Sequence, residues 1–238
     1  MRAALLLMAL IYSSLAFAGP PPPKKEGIES EDYVWNARDG EHLEALELTG
    51  DLERGEEAYE ICGACHLPSG AGRPDGTFPQ LAGQHTTVQI KQMADIRAGI
   101  RDNPTMYPFA ITLVDPQELA DVAAYVESLC IPLEHGKYEG ADAAIQIAKG
   151  KELYETQCVE CHGLNGEGNK EEFYPVIAGQ HYEYLLRQMT EIRDGKRRNA
   201  NPDMVKVIRP YTDEQLVAIS AYQASLRMPG AMCAPKAK

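Results

Sequence analysis

One segment of this chain occurs twice, and that duplication restricts the possible folds more than any other feature. CGACH at 62–66 recurs as CVECH at 158–162, FPQLAGQH at 78–85 as YPVIAGQH at 174–181, and QMADIRAGIR at 92–101 as QMTEIRDGKR at 188–197. NPTM at 103–106 returns as NPDM at 201–204 after a two-residue insertion, and QELADVAAYVESL at 117–129 returns as EQLVAISAYQASL at 214–226. The fixed order and near-constant spacing specify two homologous lobes of roughly 80–100 residues, a size at which a domain holds its own core.

Each lobe reads as three main helices. The first runs into the cysteines, the second follows the GQH triplet and closes on a glycine, and the third starts after Asp115 or Thr212, side chains suited to N-caps. In the second helix of the later lobe Leu185, Met189 and Ile192 share one helical face. No segment alternates like a strand, so the fold class is all-α. The stretch IPLEHGKYEGAD at 131–142 reads as a polar linker with proline and glycine. The expected division is 1–18, 19–50, 51–132 and 133–238, the last holding the linker and second lobe.

Residues 1–18 carry Arg2, an apolar run and an Ala16-Phe17-Ala18 cleavage site, the pattern of a secretory signal peptide. No other stretch is long and apolar enough to cross a bilayer. Residues 19–50 are proline-rich, then acidic, hold the single tryptophan Trp35, and have no copy in the second lobe. They are either a flexible arm or a strap over the first lobe. The formal charge of −12 argues against nucleic acid and against a polybasic membrane anchor, and suits steering of a basic partner protein.

C-x-x-C-H admits three chemistries. A redox disulfide belongs in a βαβ context, which is absent. Structural zinc needs four protein ligands, yet each motif sits in its own repeat with its own downstream residues. Covalent haem attachment fits. Cysteines at i and i+3 lie on one face of a helical turn, and the next residue, His66 or His162, is placed to ligate iron. Cys62, Cys65, Cys158 and Cys161 are therefore the attachment residues and His66 and His162 the first axial ligands. Equivalent lobes should use equivalent second ligands, which leaves Met93/Met189, Met106/Met204 and His85/His181. Met93 and Met189 lie mid-helix and read as core filling; His85 and His181 open the second helix and stand as a bis-histidine alternative. Met106 and Met204 follow Asn-Pro in a stretch without helical period, so a loop draped across the haem is expected, and they are the preferred pair. A proline carbonyl, from Pro79 or Pro175, is placed to accept from the unused histidine nitrogen. Arg97, Arg101, Arg193 and Arg197 repeat in register, either as partners for haem propionates or as solvated helix ends. Tyr125 and Tyr222 read as core. Cys130 and Cys233, left over outside the repeat, are free to pair in an oxidising compartment.

The motif set CGACH…FPQLAGQH…QIKQMADIRAG…NPTM, with its second copy, resembles the dihaem cytochrome c4 family over about residues 51–230. CHLPSG after the first motif and the arm at 19–50 depart from the usual pattern. The resemblance implies two tandem class-I cytochrome c domains about a pseudo-twofold, two covalently bound haem c, and the ligands inferred above. It implies a periplasmic carrier of single electrons, with redox proteins as partners, a terminal oxidase or a dehydrogenase. It implies no catalytic residues, no nucleic acid, and at most peripheral association with a membrane. The alternatives are a haem subunit of a dehydrogenase complex and a dihaem peroxidase-type enzyme.

Overall fold

A computed structural model describes residues 21–228 and 230–233. The expected signal peptide over 1–18 lies outside these residues. The first lobe holds α2 (Leu52–His66), α3 (Thr86–Ala98), the single turn α4 (Tyr107–Ala110) and α5 (Pro116–Ser128), preceded by α1 (Gly40–Glu47) in the N-terminal segment. The second lobe repeats the order as α6 (Ala143–Gln157), α7 (Val159–His162), α8 (Tyr182–Arg193), α9 (Pro202–Ile208) and α10 (Asp213–Gln223). Each third helix starts as its sequence dictates. Asp115 accepts from the Glu118 N–H, and Thr212 and Gln215 complete a reciprocal capping box. In each lobe the first helix crosses the last, and a buried tyrosine marks the contact. Tyr59 meets Tyr125 at 5.4 Å between ring centroids and Tyr154 meets Tyr222 at 5.3 Å, which gives the repeated tyrosines their packing role.

The segment read as a polar linker does more than connect. Ile131 and Pro132 (β1) pair in parallel with Met232 and Cys233 (β2), and Cys130 is disulfide-bonded to Cys233. Ile131 is 0% exposed. A Cβ on Gly83 would fall 2.6 Å from Ile131 Cγ1, and one on Gly179 would fall 2.4 Å from its Cγ2. These glycines are repeat equivalents, both at positive φ, so one isoleucine is gripped by the same motif from each lobe. The linker's polarity hid this, because a single apolar residue sets no period.

The segment at 21–50 is a strap, and it touches both lobes. Lys25 N–H donates to Gly99 O at 3.2 Å and Ile28 N–H to Arg198 O at 2.8 Å. Arg198 also pairs with Glu29. Helix α1 packs on α3 and α5. Trp35 lies parallel on Tyr174, with centroids 6.4 Å apart.

If Ile131 locks the lobes together, Ile131→Ala opens a cavity shared by both. The expected loss is about 2–5 kcal/mol of unfolding free energy, read by guanidinium titration of the holoprotein. A loss under about 1 kcal/mol would remove Ile131 from this role.

Candidate functional site

Both C-x-x-C-H motifs end a helix. In the first lobe α2 continues through the motif; in the second the helix breaks at Cys158 and resumes as α7. Cys62 and Cys158 are buried and Cys65 and Cys161 half-buried. Burial pushes the Cys62 thiol up to about 11 and the Cys158 thiol up to about 12. After each motif the chain turns back under its own histidine. Gly72 N–H donates to His66 O and Gly168 N–H to His162 O, both at 2.9 Å. Only glycine fits there, since a Cβ on either would sit 2.4 Å from a carbonyl oxygen, that of Phe78 or Tyr174. This return delivers a proline carbonyl to each ring. His66 Nδ1 donates to Pro79 O at 2.9 Å, and His162 Nδ1 to Pro175 O at 3.4 Å. A carbonyl only accepts, so the proton is on Nδ1 and Nε2 keeps its lone pair. The rings are 6% and 8% exposed, and burial lowers both imidazoles below their ordinary range, favouring the neutral form. Two thiols one helical turn apart beside a neutral imidazole with a free Nε2 are the donor set that covalent haem requires. Among the described residues no group of three or more His, Cys, Asp and Glu is arranged for a metal ion, which leaves the zinc reading without its four ligands.

Met106 lies in a turn, as expected, whereas Met204 is placed differently from the expected loop. Met204 lies in α9, which opens on Pro202 and is capped by Asn201. Met106 is the N-cap residue of α4, and its N–H donates to Asn103 Oδ1 at 3.1 Å. In the second lobe Asn201-Pro202 starts a helix because proline costs nothing in the first turn; seven residues are too few to show a period. Met93 bridges the cluster holding Cys62 to the one against which Met106 packs. In the second lobe Leu186 links the cluster of Cys158 to that of Met189, and Met204 packs on the latter.

His85 and His181 serve another purpose. His85 Nε2 donates to Glu167 O and His181 Nε2 to Ala71 O, both at 2.8 Å and each in the opposite lobe. The glutamine beside each does the same. Gln84 takes both the N–H and the C=O of Val176 at 2.9 Å. Gln180 takes those of Gln80, at 3.0 and 2.9 Å. The GQH triplets form a reciprocal clasp between lobes, and the bis-histidine alternative loses its ligands to it.

The four repeated arginines divide by pairs. Arg97 donates to Ala110 O and Leu113 O and pairs with Glu41; Arg193 pairs with Asp194 and Asp213. Arg101 and Arg197 meet at the lobe boundary, sharing Gln92 and Gln188 as acceptors. Burial and the neighbouring Arg101 pull the Arg197 guanidinium down to about 10, which leaves it a cation at neutral pH. Asn199 ties this group to Asp95, which also holds the buried Lys91.

The cytochrome c family model matches residues 52–130 and again 147–227. Cytochrome c4 of Azotobacter vinelandii is 32% identical over 185 residues, covering 73% of this chain and 88% of that protein. The chain belongs to the cytochrome c4 family. The crystal structure of reduced recombinant cytochrome c4 from Pseudomonas stutzeri superposes with a TM-score of 0.64 at 32% identity, covering 75% of this chain and all (100%) of that one. A relative in Stutzerimonas stutzeri named thiosulfate dehydrogenase electron acceptor is 34% identical over 175 residues, 71% of this chain and 80% of its own. Like the cytochromes c4, the chain is an all-α dihaem electron carrier with two covalently bound haem c. Residues 21–50 lie outside the matched regions.

The clasp carries its own pH dependence. His181 is 1% exposed; Nδ1 accepts from the Gly136 N–H at 3.0 Å while Nε2 donates to Ala71 O. Burial, aided by nearby His135 and opposed by the Ala71 carbonyl and Asp75, brings its pKa down to about 4 from an ordinary 6.5. The unfolded chain therefore binds this proton first as pH falls. The stabilisation is intact above pH 6.5 and is lost toward pH 4, at about 1.4 kcal/mol per pH unit. His181→Gln should lower stability at pH 7 and flatten this acid limb in thermal melts of the holoprotein. An acid limb as steep as that of the wild type would contradict the assignment.

Proposed function

We propose that this cytochrome c4 family member is a periplasmic shuttle passing single electrons between redox proteins, a terminal oxidase or a dehydrogenase. In this reading the axial pairs are His66 with Met106 and His162 with Met204. When bound, each haem c takes up and releases one electron at its iron. The protein supports this by holding its ligands still. Pro79 O and Pro175 O fix the tautomer and rotation of the two rings, so Nε2 is offered in one direction. Tyr59 donates to Leu67 O at 3.1 Å and Tyr154 to Gly163 O at 2.7 Å, tethering the residue after each histidine. Met106 and Met204 would each supply the haem iron with a thioether as its second ligand, which would exclude peroxide and raise the reduction potential. The observation that carries the proposal is the matched histidine-to-proline bond in both lobes, which prepares two equivalent ligands.

Periplasmic location is supported by the N-terminal signal pattern and by the Cys130–Cys233 disulfide, which suits an oxidising compartment. Among the described residues no helix is long and apolar enough to cross a membrane. The relative named as an electron acceptor of thiosulfate dehydrogenase favours a second reading, in which the chain serves as a haem subunit held by its dehydrogenase. Co-purification with a second chain separates the two.

The oxidised protein should show the weak sulfur-to-iron charge-transfer band at the red edge of the visible spectrum, at two equivalents per chain. Met106→Ala and Met204→Ala should each remove one equivalent and lower one midpoint potential. Retention of both equivalents in either variant would overturn that ligand.

A further inference from the structure

The two haem sites are repeats of one design, and they differ at one carbonyl. His66 donates to Pro79 O at 2.9 Å, whereas His162 donates to Pro175 O at 3.4 Å, a longer and weaker bond. The residues before these prolines also differ. In the first lobe they are Thr77, exposed, and Phe78. In the second they are Phe173, 2% exposed, and Tyr174. Phe173 has a φ of 59°, a left-handed conformation that a bulky aromatic side chain adopts only under constraint.

The Phe173 backbone closes the turn bridged by Asn169 and Tyr174, and the strap packs on its side chain. Trp35 meets Phe173 edge-on at 6.3 Å and stacks on Tyr174 with an interplanar angle of 10°. His42 meets Phe173 at 5.6 Å, and the Arg38 guanidinium lies 5.4 Å from the centre of the same ring. Lys91, anchored by Asp95 in the first lobe, places its ammonium 5.1 Å from the Trp35 ring centre. On its other side Tyr174 borders the haem motif, 6.5 Å from the His162 ring and next to Cys161. Nothing in the strap plays this part for Phe78.

We propose that the strap tunes the haem of the second lobe selectively, with Trp35 as a positioning residue acting through Phe173 and Tyr174 on Pro175 O. This rests on the reading that His162 ligates that haem. A longer Nδ1–H···O bond leaves the imidazole a poorer electron donor, which favours ferrous iron. An aromatic cover excludes water, which disfavours the extra charge of ferric iron. Both effects raise the potential of the second site and neither acts on the first. The strap thereby biases where an electron rests on the chain.

The test follows the hyperfine-shifted haem and imidazole resonances of each site through a redox titration of the full-length holoprotein. Trp35→Ala should shift the second site's midpoint downward and leave the first unmoved, and Trp35→Phe should restore most of the shift. Phe173→Thr, which installs the first lobe's residue, should move the second site the same way. An unmoved second site in both Trp35→Ala and Phe173→Thr, or equal shifts at both sites, would overturn the strap's role. A wild-type second site lacking a ligated imidazole signature would instead overturn the ligation itself.

Discussion

The architecture depends on the reciprocal bonds that Gln84 and Gln180 make across the lobe boundary. Each amide satisfies both backbone groups of one residue in the opposite lobe, Gln180 at a buried site and Gln84 at a half-buried one. Those backbone groups belong to Gln80 and Val176, the residues directly after Pro79 and Pro175. One short segment therefore performs two tasks in each lobe. Its proline carbonyl orients the histidine of its own site, and its next residue is held by the other lobe's glutamine. Cohesion of the lobes and alignment of the ligands are thus coupled through the same short segments.

The boundary is otherwise made of small residues and charges. Gly83 and Gly179 let Ile131 reach the centre, and Arg101 and Arg197 face each other across shared amide oxygens. Two half-buried guanidiniums so placed repel, and the neutral oxygens of Gln92 and Gln188 offset part of that cost. Asp95 contributes the nearby negative charge, yet it also carries Lys91.

Much of this was legible in the sequence. Duplication gave two lobes, glycine and cap residues gave the helix ends, and the repeat register singled out the proline carbonyls. What stayed hidden has a common cause. A repeat identifies equivalent positions but not whether their contacts are made within a copy or across to the other. His85 and His181 thus looked like candidate ligands rather than crossed donors. Ile131 and the strap have no second copy, so register could say nothing of them. Met204 sits on a helix because Pro202 and Asn201 start one, a signal of local chemistry that seven residues are too few to support with periodicity.

The clasp is tested most directly by differential scanning calorimetry of the holoprotein against Gln84→Ala/Gln180→Ala. Each truncation strands a buried N–H and C=O, at about 1–3 kcal/mol per unsatisfied group. The wild type should unfold in a single transition, and the double variant should separate into two, one per lobe, with the first at markedly lower temperature. A double variant that melts in one transition at the wild-type temperature would contradict the claim that these two amides bind the lobes and their sites into one unit.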